Sequence, residues 1–66
     1  MSVAKVIEIT ATSDESFEGA IQNGIDRASQ TVRNIKGAWV KEQKVRIEDN
    51  RIACYRVVLK VTFILD

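Results

Sequence analysis

Few side chains in this sequence can do chemistry. There is no histidine, one cysteine (Cys54) and one tryptophan (Trp39). No serine or cysteine has a base in sequence to activate it, and no glycine-rich loop offers to cradle a phosphate. An enzyme is therefore not expected. A structural zinc site is not expected either, because zinc takes four Cys, His or carboxylate ligands. What remains is binding chemistry. Trp39 offers a flat aromatic face for stacking on a planar ligand, or for packing between subunits. Arg56 presents only donors, which suits a carboxylate, a carbonyl or a phosphate oxygen. Gln43, next to Glu42, offers a hydrogen bond to a neighbouring subunit or a ligand. Glu48 and Asp49 are hard oxygen donors, but a dedicated calcium site gathers about six such ligands, so a solvated turn is the expectation. Cys54 shares alternation parity with Arg56. A basic neighbour favours thiolate, but an unreactive thiol is expected.

The elements that position these residues follow from periodicity. From Arg51 to Leu65 the apolar residues Tyr55, Val57, Leu59, Val61 and Phe63 recur at every second position. That is the pattern of a strand with one buried face. Val3 to Thr12 reads as another strand, with Lys5 and Glu8 as its charges. Thr12 and Glu15 have the spacing of a capping box, which starts a helix running from about Asp14 to Asn34. Phe17, Ala20, Ile21, Gly24, Ile25, Ala28, Val32 and Ile35 give that helix one apolar stripe. Gly24 lies on the stripe and reads as a point of close approach to the sheet. Gly37 closes the connection, and a second strand runs from Ala38 to Glu48. Its core parity changes between Val40 and Val45, so an extra residue must be absorbed near Glu42–Lys44 as a β-bulge. Asp49 and Asn50 suit a tight hairpin turn with positive φ. With Ala38 and Val40 facing the helix, Gly37, Trp39 and Lys41 face away from it. The predicted fold is α+β, in the order β-α-β-β, with three antiparallel strands wrapped on one helix.

Sixty-six residues make a single domain, residues 1–66. A chain this short buries only about 60% of the surface its unfolded form exposes, so it is marginal alone. Without a disulfide or a metal, the staple left is association with further copies. Ten basic and nine acidic residues are intermixed, for a net charge of +1. That gives no case for nucleic acid, which favours a strongly basic face. No stretch is apolar enough to span a bilayer, and no signal-peptide pattern is present. A single cysteine fits a cytoplasmic protein.

The stretches KVIEITATSDESFEGAI, TVRNIKGAWVKEQKV and YRVVLKVTFIL together resemble the dodecin family over nearly the whole chain. The resemblance implies a small cytoplasmic protein that assembles into a hollow homododecamer. It implies storage or sequestration of a flavin, FMN or riboflavin, with no substrate turned over. In flavin-binding members, tryptophans of symmetry-related subunits stack on paired isoalloxazine rings, and a last-strand glutamine bonds the pyrimidine edge. Laid on that pattern, the stacking tryptophan falls on Gly37 and the glutamine on Arg56. Trp39 lies two residues later on the same face, about 6–7 Å along the strand. A second branch, which includes calcium-binding members, also lacks the tryptophan and carries Tyr-Arg, as Tyr55-Arg56 does here. The expected ligand contacts are thus Trp39, Arg56, Gly37 and Gln43. The alternative is a cage that holds no flavin but an ion such as calcium, or another small ligand.

Overall fold

The computed structural model describes residues 2–65. Strand β1 (Val3–Ser13) is followed by helix α1 (Phe17–Ala28), strand β2 (Ile35–Glu48) and strand β3 (Arg51–Leu65). The strands form one antiparallel sheet in the order β1-β3-β2. The most regularly alternating strand therefore sits in the middle, where both of its backbone edges are satisfied. One face of β3 supplies Val57, Leu59 and Val61, all fully buried. Against them pack Ala20 of α1, Ile7, Ile9 and Ala11 of β1, and Phe17, Ile21, Ile25 and Ile35. Phe17 meets Tyr55 edge to face, with ring centroids 5.1 Å apart.

The helix is shorter than the apolar stripe predicts, and its cap is different. Thr12 stays in β1, opposite Arg56. Ser13 Oγ accepts from the backbone N–H groups of Glu15 and Ser16 and turns the chain. Ser16, held extended, then caps α1 by accepting from Gly19 N–H at 2.9 Å. The Thr12–Glu15 spacing thus mimicked a capping box one turn too early. At the far end Ser29 Oγ donates to Asp26 O, and Gln30 and Thr31 close tight turns on Arg27 and Ala28. Serine competing for helix carbonyls and β-branched Thr31 and Val32 disfavour further turns. Ile35 consequently opens β2. The connection closes at Asn34, with φ 63°, rather than at Gly37, which lies inside β2 with no positive φ. Asparagine tolerates that region better than most residues.

Gly24 has the close approach expected of it. A Cβ there would lie 3.0 Å from Ala11 Cβ and 3.1 Å from Leu59 Cδ1. The hairpin turn is also as read, with Asp49 at φ 53° and Asn50 at φ 61°. The expected bulge in β2 occurs one residue early: the register slips between Val40 and Glu42, leaving Lys41 as the extra residue. Further slips lie between Ile35 and Gly37 and between Arg46 and Ile47.

The helix rests on β1 and β3. Since β1 ends opposite Tyr55, the outer part of the β2–β3 hairpin continues as a two-stranded ribbon. This gives the chain its 51 Å long axis. Val45, Ile47 and Ile52 on the ribbon are exposed. Among the described residues, no helix is long and apolar enough to cross a membrane.

Candidate functional site

The candidate residues are placed by the sheet face turned away from α1. Directly paired residues of antiparallel strands share a face. Because Val57, Leu59 and Val61 point to the core, their alternates Arg56, Val58, Lys60 and Thr62 point outward. Each lies in a row across the sheet: Val6–Thr62–Gly37, Glu8–Lys60–Trp39, Thr10–Val58–Glu42 and Thr12–Arg56–Lys44.

Trp39 is on this outer face as expected and is 56% exposed. Gly37 is one row away on the same face, and a Cβ built there meets nothing within 4 Å. An aromatic plane therefore stands beside an unfilled space. Arg56 is also outward, two rows from Trp39, or about 13 Å at the rise of a strand. Among the described residues no carboxylate pairs with it. Its cross-strand neighbour is Lys44, whose own contact is Glu42 at 3.9 Å. Arg46 pairs with Glu48. Lys44, Val45, Arg46, Cys54 and Arg56 line a shallow hollow of about 170 Å³. Cys54 is half-buried, and its thiol points towards Tyr55 O at 3.7 Å.

Gln43 does not join the other three. After the bulge at Lys41 it pairs with Val57, so it lies on the helix side of the sheet, where it is exposed. The bulge that keeps Val40 and Val45 on one face also puts Gln43 there. A separate groove of about 500 Å³ runs between α1 and the free edge of β1, lined by Ile9, Ala11, Gly24, Arg27 and Val32 among others. None of the candidate residues lines it.

Sequence reasoning missed an ion cluster beside Trp39. Glu8 Oε1 accepts from Lys60 Nζ at 2.9 Å and from Lys41 Nζ at 3.4 Å. The cluster ties all three strands together: Glu8 lies on β1, Lys60 on β3 and Lys41 in the bulge of β2. The hydrogen bond from Lys60, then that from Lys41, holds the Glu8 carboxyl below the usual carboxylate range. The charges were visible in the sequence. Their meeting needs the strand register, which composition does not give. Among the described residues, no group of three His, Cys, Asp or Glu side chains comes together to hold a metal.

What this arrangement offers is recognition of a flat, partly polar molecule: an open aromatic face flanked by cations. A family model described as Dodecin matches residues 3–66. The dodecin of Thermus thermophilus is 39% identical, over 97% of this chain and 93% of its own length. The calcium dodecin of Mycobacterium tuberculosis is 40% identical, over 96% of this chain and 89% of its own length. The solved structure of dodecin from Streptomyces davaonensis superposes with a TM-score of 0.94 at 42% identity, covering 98% of this chain and 96% of that one.

Proposed function

The chain belongs to the dodecin family, and on that premise we propose that it is the subunit of a hollow homododecamer that stores flavin, FMN or riboflavin, without turning it over. The observation that carries this reading is Trp39, 56% exposed on the sheet face that α1 leaves open. A large indole in water on a small open sheet is costly unless something flat or a second subunit covers it. Gly37 supplies the room for a ring, and Trp39 takes over the stacking from one row along. Arg56, with no carboxylate partner among the described residues, donates to a flavin carbonyl or phosphate oxygen; it cannot supply the acceptor that a glutamine would. Gln43, on the opposite face, bonds a neighbouring subunit. The absence of histidine and of an activated nucleophile supports binding without catalysis. The reading places the protein in the cytoplasm, where flavin is free to be buffered.

A second reading has one observation in its favour. The Mycobacterium tuberculosis relative is a calcium dodecin, and this chain has Tyr55-Arg56 and no tryptophan at position 37. Calcium would then be held by carboxylates from several subunits. One experiment separates the two. FMN and riboflavin are titrated into the purified assembly while flavin and Trp39 emission are recorded, with a calcium titration alongside. Storage of flavin predicts that both emissions are quenched together. Unchanged emission at saturating flavin, with a calcium-dependent rise in thermal stability, supports the ion cage instead.

A further inference from the structure

Asn23 is the one asparagine in this chain followed by glycine; Asn34 precedes Ile35 and Asn50 precedes Arg51. A side-chain amide next to glycine is open to attack by its own backbone. Glycine has no Cβ to shield its nitrogen, and it reaches backbone angles closed to other residues. The pair lies in the middle of α1, where two features hold the reacting atoms apart. Asn23 Nδ2 donates to Thr12 O at 3.1 Å, which draws the side chain across to β1. The Gly24 N–H is used in the helix ladder, and Gly24 itself is buried against Ala11, Leu59 and Ile9. Yet α1 has only 12 residues, a length that is marginal without its packing.

We infer that Asn23–Gly24 is a self-modification site, closed while α1 is folded and opened when α1 unravels, whose product cannot restore the contact between helix and sheet. The step balances without a cofactor. Gly24 N gives up its proton and bonds to Asn23 Cγ, the bond from Cγ to Nδ2 breaks, and ammonia leaves. Water then opens the succinimide ring at either carbonyl. One opening gives an aspartyl residue. The other gives an isoaspartyl linkage, in which the backbone runs through the side-chain carbon. That linkage lengthens the main chain where a Cβ on Gly24 would already lie 3.0 Å from Ala11 Cβ and 3.1 Å from Leu59 Cδ1. A close-packed interior does not absorb such a shift. Both products also lose the amide donor to Thr12 O. The modification therefore records that a subunit has opened, and refolding does not undo it.

The test holds the whole protein at mildly alkaline pH, where loss of the nitrogen's proton is favoured, and follows each asparagine by peptide mass. Asn23 should convert at least about tenfold more slowly in the folded protein than in unfolding urea, because the fraction open sets the rate. In urea it should outpace Asn34 and Asn50. S16A, which removes the cap of α1, should speed conversion in the folded protein about fivefold. N23Q, whose longer side chain does not close the same ring, should stay unmodified there. The isoaspartyl fraction, separated by chromatography, should unfold at lower urea than unmodified protein treated alongside. Equal rates with and without urea, or an S16A rate equal to the parent's, overturn the gating by α1. Faster conversion at Asn34 or Asn50 in urea overturns the site. An isoaspartyl fraction with the parent's urea midpoint overturns the claim that the contact is lost.

Discussion

Trp39 pairs with Lys60 on the sheet face turned away from α1 and is 56% exposed, so Trp39→Ala should leave unfolding free energy within about 0.5 kcal/mol of the parent, as for other surface substitutions. Flavin affinity should fall at least about tenfold, because ring stacking is worth about 0.5–1.5 kcal/mol beyond the area it covers. Titration of flavin emission checks the second effect and chemical denaturation the first. Glu8 gives a pH prediction with a definite sign. Its pKa is lowered in the folded chain by Lys60 and Lys41. Its contribution is therefore fully present above the ordinary glutamate pKa of about 4.3 and is lost as pH falls through the lower folded value. Glu8→Gln should remove that contribution, so it lowers stability modestly near neutrality, flattens the acid limb of the stability curve and converges with the parent at low pH; pH-dependent denaturation curves would show it. The same residue shows what the sequence does not reveal. Glu8, Lys41 and Lys60 are far apart in the chain, and each reads as an ordinary surface charge until register brings them to one oxygen.

Helix α1 is held by one cap and one close approach, and each has a measurable value. Ser16→Ala removes the acceptor for Gly19 N–H and should cost about 1 kcal/mol. Thr12→Ala, at the expected cap, should cost much less, since Thr12 sits in β1. Gly24→Val forces a side chain against Ala11 and Leu59 and should cost about 1–3 kcal/mol, the range for overpacking. Urea midpoints compare all three. The order of elements, the central strand and the hairpin turn were legible because period-2 and period-3.6 patterns are imposed by burial, which acts on every residue of an element. Ends were not legible for a local reason. Thr12, Ser13 and Ser16 are chemically near-equivalent caps, and only the reach of β1 decides among them. The bulge was legible as a parity conflict between Val40 and Val45. That Lys41 carries it depends on the path of the chain around the sheet. Trp39 was placed on the correct face by parity alone, whereas Gln43 was not, because its face depends on where the bulge falls.

The whole subunit buries little. Its fully buried large side chains are Val57, Leu59 and Val61, each contributing about 1.5–3 kcal/mol. Meanwhile the ribbon exposes Val45, Ile47 and Ile52. A two-stranded ribbon is marginal in water by itself, so stability should rise with protein concentration, as mass action requires of a subunit stabilised by its neighbours. Ile47→Asp with Ile52→Asp should shift light scattering towards small species, because charge on those positions opposes burial between copies. The central claim joins this assembly to the open face that carries Trp39. Sedimentation of the purified protein with FMN, followed at the protein band and at the visible flavin band, tests both parts together. Flavin absorbance should move with a single boundary having the mass of about twelve 7.4 kDa chains. A boundary at the mass of one chain, or flavin left behind in the supernatant, would contradict it.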